Sequence, residues 1–98
     1  MEEKAKQLAE LLKLLANRYR LMIFCALMDG PMSVNKLLEK VPQISQSALS
    51  QHLALLRAHE ILDYKKTGLT VTYFIVDHRV EEIIHVLKKY YCDGEDLK

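Results

Sequence analysis

The 98-residue chain carries 14 lysines and arginines against 13 acids, a formal charge of +1, and half of its residues are apolar. That composition makes one small globular domain, residues 1–98, and excludes a polybasic tail or a supercharged nucleic-acid binder while leaving room for a local basic patch. A chain of this length buries roughly 60 to 65% of its unfolded surface, so a second copy that covers apolar area adds stability and a homodimer is expected.

Two cysteines, three glycines and two prolines do not make a disulfide-rich secreted scaffold, so the expectation is a reduced, cytoplasmic protein. The longest apolar run, Leu21 to Met28, is eight residues, against about 20 needed to cross a bilayer. Glu2 and Glu3 precede it and Asp29-Gly30-Pro31 follows it, which is not the pattern of an export signal. No membrane partner is expected.

In chain order, Leu8, Leu11, Leu12 and Leu15 follow the spacing of one helical stripe and predict a first helix. Asn17 can cap a second helix, whose body from Leu21 to Met28 is apolar on every side, as suits an element surrounded by its neighbours. Asp29-Gly30-Pro31 ends it. Ser33 can cap a third helix with Val34, Leu37, Leu38 and Val41 on one stripe, closed by Pro42. A fourth helix runs from near Ser45 to about Ala58. The period then changes: Ile61 to Lys66 and Leu69 to Val76 predict two strands, with Thr67-Gly68 as the turn. Asp77 can cap a last helix with Val80, Ile83, Ile84, Leu87 and Tyr91 on one side, followed by a polar tail from about residue 93. The fold class that follows is mainly α with a β-hairpin wing, a winged helix-turn-helix. The apolar stripes of the first and last helices are expected to form the dimer seam.

The fourth helix carries the chemistry. On a helical wheel Gln46, Ser47, Ser50, Gln51, Ala54, Arg57 and Ala58 share an arc of about 140°, opposite Ala48, Leu49, Leu53, Leu55 and Leu56. Short polar side chains let a helix backbone approach base edges in a major groove, where glutamine pairs with adenine and serine bonds to several bases or to phosphate. Ser45, Gln46, Ser47, Ser50 and Gln51 are therefore candidate contacts to a double-stranded DNA operator, with Arg57 suited to the phosphate backbone. Lys65, Lys66, Thr67 and Thr70 cluster near the hairpin tip, where lysines can neutralise phosphates or guard an exposed sheet edge. His52 falls on the apolar side, where a histidine is more often a satisfied boundary residue than a base reader; only a phosphate contact is assigned to it. His59 is expected to close the helix end.

The string Ser45-Gln46-Ser47-Ala48-Leu49-Ser50-Gln51-His52-Leu53-Ala54-Leu55-Leu56-Arg57 resembles the recognition helix of the ArsR/SmtB family of bacterial repressors. Leu14-Leu15-Ala16-Asn17-Arg18-Tyr19-Arg20-Leu21 is similar to the segment that opens that family's second helix. The resemblance covers roughly residues 8 to 92. It implies a homodimeric winged helix-turn-helix that occupies an operator and leaves it when an inducer binds, and it supports the first and last helices as the seam.

Many members of that family sense metals, but the pattern is broken here. No cysteine lies between Ser33 and Pro42, Asp77 and His78 are adjacent, and Lys88 stands three residues after His85. An alternative set, His78, Glu82 and His85, shares one helical face and has donors that zinc accepts. No metal and no cofactor are assigned. Cys25 in the second helix and Cys92 at the end of the last resemble the cysteine pair of a redox- and persulfide-responsive branch. In that branch the resemblance implies that reactive sulfur species or oxidants link the two and loosen the grip on DNA. Lys88 and Lys89 stand one turn before Cys92 and favour its thiolate, whereas the helix C-terminus disfavours it. The expectation is a repressor relieved by sulfur chemistry at Cys25 and Cys92, with a metal-responsive repressor using His78, Glu82 and His85, a thiol-inert anti-silencing activator or a pure protein-interaction module as alternatives. The sequence has no Gly-rich phosphate loop and no motif-spaced catalytic set, so an enzyme is not expected.

Overall fold

The structure is a computed structural model that describes the backbone of residues 1–92 and the side chains through Tyr90. The expected roles of the Tyr91 and Cys92 side chains and the polar tail from residue 93 lie outside the described residues. The elements run α1 (Glu2–Leu15), α2 (Arg18–Leu27), β1 (Met32–Ser33), α3 (Val34–Lys40), α4 (Gln46–Ala58), β2 (Leu62–Thr67), β3 (Thr70–Ile75) and α5 (His78–Leu87). Five residues of wider, π-type helix, Lys88–Cys92, continue α5. Among the described residues no helix is long and apolar enough to cross a membrane.

Four of the five α-helices, α2 to α5, begin where a short polar side chain can take the first free amides, while α1 starts at Met1 without one. Asn17 Oδ1 accepts from the N–H groups of Tyr19 and Arg20, Ser33 Oγ from Lys36, Ser45 Oγ from Ala48, and Asp77 Oδ1 from Arg79 and Val80. Such caps satisfy donors that an α-helix leaves open and each contributes about 1 kcal/mol. Between them, α2 supplies Ile23 and Phe24, both fully buried, as the centre against which the other elements close. Leu37 and Val41 come from the third-helix region, Leu49, Leu53 and Leu56 from α4, and Val80 and Ile84 from α5. Ile23, Phe24, Ala26 and Leu27 are buried, but Leu21, Met22, Cys25 and Met28 are only half-buried, so α2 is not enclosed on every side as its apolar perimeter led one to expect.

Two sequence expectations shift. In α1 only Leu11 and Leu15 of the four-leucine stripe are buried, joined by half-buried Leu14, so the core-facing side is rotated and Leu8 and Leu12 remain outside. In the wing, Thr67 pairs with Thr70, which leaves Gly68 and Leu69, not Thr67 and Gly68, as the two-residue loop. Gly68 takes φ +64° while Leu69 stays negative, the pattern of a type II′ hairpin turn, whose twist matches the strands. A third strand, β1, was not visible in sequence. Met32 and Ser33 pair antiparallel with Tyr73 and Thr72, giving the order β1-β3-β2. Two residues are too few to show alternation, and Ser33 already reads as a helix cap.

The end of α4 is closed without glycine. The Ile61 N–H donates to Leu56 O and the Glu60 N–H to Arg57 O, both at 2.9 Å, a Schellman closure with buried Ile61 beside buried Leu56. That closure holds Glu60 at φ +60°, the left-handed region that a side chain resists. We expect Glu60→Gly to raise stability by about 1 kcal/mol. Gly68→Ala, at a position where no neighbour would meet the added methyl, should lower it by a similar amount, ~1 kcal/mol, from backbone strain alone. Urea denaturation of the two variants checks the opposite signs.

Candidate nucleic-acid interface

Helix α4 is divided along its length. Leu49, Leu53 and Leu56 are buried, while Gln46, Ser47, Ser50, Gln51, Ala54, Arg57 and Ala58 are all exposed. The five residues from Val41 to Ser45 separate α3 from α4, and α3 packs on both α2 and α4. The exposed face therefore stands on a fixed base. No acidic residue occurs in α4, so nothing on the helix itself repels a phosphate backbone. Ser45 uses its oxygen to cap the helix at 3.0 Å and keeps its hydroxyl hydrogen for a donor role.

Arg57 is tied to the wing. Its Nε donates to Asp63 Oδ1 at 3.4 Å and its guanidinium lies 4.2 Å from the centre of the Tyr64 ring. Tyr64 meets Tyr73 across the ladder, edge to face at 5.5 Å. Arg57 thus braces α4 against β2 while half of its side chain stays exposed. Lys65, Lys66, Thr67 and Thr70 are all exposed. Strand alternation separates the two lysines: Lys65 shares a face with Thr67, and Lys66 takes the other. At the tip Leu69 is 99% exposed, a residue that sequence patterning assigned to the strand.

His52 is turned from the exposed face. Arg20 Nε–H donates to His52 Nδ1 at 3.3 Å, and Arg20 Nη1 donates to Leu14 O at 3.2 Å. The acceptor role at Nδ1 places the proton of the neutral ring on Nε2. Burial, and then the Arg20 charge, push the His52 pKa below its ordinary 6.5. Arg20 thereby joins the end of α1, the start of α2 and the middle of α4. Sequence reasoning missed it, because Arg20 reads as one more polar residue near a cap; the signal lay in its pairing with a histidine on the apolar side of α4.

Away from this face, Cys25 is half-buried on α2 and disulfide-bonded. Lys88 Nζ donates to Asp29 Oδ1 at 2.7 Å, tying the π turn to the end of α2. The alternative metal set does not assemble: His78 Nδ1 lies 3.1 Å from Glu81 Oε1. Among the described residues no three His, Cys, Asp or Glu side chains gather to hold an ion. His59 closes α4 as expected.

Comparison with known proteins gives the same architecture. The chain is 40% identical over 94 residues to the transcriptional activator HlyU of Vibrio cholerae, covering 96% of this chain and 86% of the relative. The structure of reduced HlyU from Vibrio cholerae superposes with a TM-score of 0.87 at 40% identity, over 94% of this chain and 96% of that one. The transcriptional repressor BigR from Xylella fastidiosa gives a TM-score of 0.87 at 31% identity, over 98% and 94%. Residues 14–95 match the family described as HxlR-like helix-turn-helix, where the sequence motifs had pointed to ArsR/SmtB. With a mostly helical body, an antiparallel wing and relatives that regulate transcription, the chain belongs to the HxlR-like helix-turn-helix family, whose members are transcriptional regulators and not enzymes.

Proposed function

We propose that the chain is a cytoplasmic, homodimeric repressor of the ArsR/SmtB type that reads a double-stranded operator through α4 and releases it when reactive sulfur species or oxidants link Cys25 to Cys92. The observation that carries the DNA reading is the exposed face of Gln46, Ser47, Ser50 and Gln51 on a helix whose other side is sunk in the core. In this reading Gln46 and Gln51 contact base edges, Ser45, Ser47 and Ser50 contact bases or phosphates, and Arg57, Lys65, Lys66, Thr67 and Thr70 follow the backbone. His52 acts by setting α4 against Arg20 and has Nε2–H to offer a phosphate.

The dimer rests on apolar surface at the two chain ends. Leu8 and Leu12 of α1 are 52% and 45% exposed, and Val86 and Tyr90 at the other end are 53% and 55%. A second copy that covers them removes apolar area from water at about 25 cal/mol per Å². The sulfur switch is supported by the half-buried, disulfide-bonded Cys25 in a chain with two cysteines, and by a relative whose structure is described as reduced. A structural disulfide does not persist in a reducing cytoplasm, which favours a regulatory one. Because HlyU is described as an activator, a thiol-inert, anti-silencing action is the second reading.

Direct measurements test these assignments. Gln46→Ala or Ser47→Ala should cost about 1–3 kcal/mol at one operator position and relax preference there. Lys65→Ala or Lys66→Ala should instead weaken all sequences alike and lower the salt slope by about 1; absence of any sequence preference in a genomic-fragment selection overturns the operator reading. Polysulfide or peroxide should weaken DNA binding together with the appearance of a Cys25–Cys92 link by mass spectrometry, and an undiminished response in Cys92→Ser defeats the switch. Finally, the His52 pKa is lowered in the folded state, so the unfolded chain binds more protons in acid. The stability it contributes is complete above its unfolded pKa near 6.5 and is lost as pH falls toward the folded value. His52→Gln should flatten the decline in melting temperature between about pH 7.5 and 5.5.

A further inference from the structure

Between α1, the start of α2, the end of α4 and the start of α5 a cleft of about 720 Å³ opens. That volume lies in the range of small-molecule sites. Its floor is apolar: Leu11 and Ile61 are buried and Leu14 is half-buried. Lys13, Arg20 and Arg79 stand around it, with Glu10 as the one carboxylate among the described residues that line it. Arg79 is already matched, since its Nε and Nη2 donate to Asp77 at 3.1 and 2.7 Å. Among the described residues Lys13 and Arg20 enter no ion pair. Two unmatched cations against Glu10 leave one positive charge above an apolar floor. Leu8 and Leu12, the surface assigned to the dimer, do not line this cleft. Arg20 connects it to α4. Its Nε donates to His52 Nδ1 at 3.3 Å and its Nη1 to Leu14 O at 3.2 Å, both at the long end for such bonds, and among the described residues Nη2 has no partner.

We propose that this cleft is an effector site for small carboxylates with an apolar body, such as an aromatic or branched acid. Arg20 and Lys13 hold the carboxylate, Leu11, Leu14 and Ile61 cover the carbon skeleton, and Arg20 passes occupancy to α4 through His52. A guanidinium is a rigid planar fork that matches the two oxygens of a carboxylate, and an apolar floor matches a hydrocarbon and not a second charge. One uncompensated positive charge suits a singly charged carboxylate; a phosphate monoester, close to two negative charges at neutral pH, exceeds it. A carboxylate paired with Nη1 and Nη2 re-aims the guanidinium plane. The Nε–H that His52 accepts lies in that same plane and has to follow, so the bond to α4 changes when the cleft fills. In linking the cleft to the exposed face of α4 the effector role rests on the DNA reading above, whereas the binding site does not.

The test titrates the full-length protein with 3-phenylpropionate, with neutral 3-phenylpropanol and with inorganic phosphate, following the backbone amides and the His52 ring by NMR. The carboxylate should bind about fivefold more tightly than the alcohol, shift the amides of Leu11, Leu14 and Ile61, and move the His52 ring signal, while inorganic phosphate does not displace it. Lys13→Gln, at an exposed helix position, should cut the preference to about twofold and Lys13→Arg should keep it. Equal affinity for acid and alcohol, or an unchanged preference in Lys13→Gln, overturns the site. A His52 ring signal that stays in place at saturation overturns the relay. At saturating 3-phenylpropionate the affinity for a selected operator should change about threefold; a ring that moves while that affinity stays constant overturns the effector role. If no operator can be selected at all, the DNA reading fails, and the titration and the ring signal still decide the cleft.

Discussion

The burial of Leu49, Leu53 and Leu56 is the constraint from which the rest of the molecule follows. Their removal from water against α3, β2 and the shared core fixes the azimuth of α4, and with it the direction in which Gln46, Ser47, Ser50 and Gln51 look. Truncating one such leucine costs about 2–5 kcal/mol, a large part of what a domain of this size has in hand. Rotation of α4 about its axis would exchange leucine for glutamine at the core, so the exposed polar face cannot drift without unfolding.

Polar contacts refine what the leucines set. Arg20 reaches Leu14 O and His52, so the junction of the first two helices is bonded to the helix that faces outward. Arg57 does the same from the other end, through Asp63 and Tyr64. These are partly exposed contacts of modest strength, and their value is in geometry: each removes one way for α4 to tilt. The base readout proposed for α4 needs this, since a hydrogen bond to the wrong height of a groove is no bond.

Most of this arrangement was legible in the sequence because it rests on periodicity and on capping chemistry. Asn17, Ser33 and Asp77 mark three helix starts to the residue, the fourth helix is placed near its cap Ser45, and the two faces of α4 separate on a wheel. What escaped has three causes. β1 is a two-residue pairing chosen by tertiary contact, with no pattern of its own. The left-handed Glu60 is imposed by the apolar closure of Ile61 on Leu56, which overrides the usual demand for glycine. Arg20 and Lys88 matter through partners more than ten residues away in sequence, and such pairings leave no local signature.

The bond between Asp29 and Lys88 spans 59 positions of sequence. Everything that would touch a duplex, from β1 through the hairpin, lies on the loop of chain that this bond closes. Its two ends meet at the end of α2, and the segment between them also packs on α2 through α3, β3 and α5 and is bonded to it by Arg20 and His52. Losing that one ion pair would therefore loosen both ends of the segment together and leave its packing on α2 to hold the exposed face of α4.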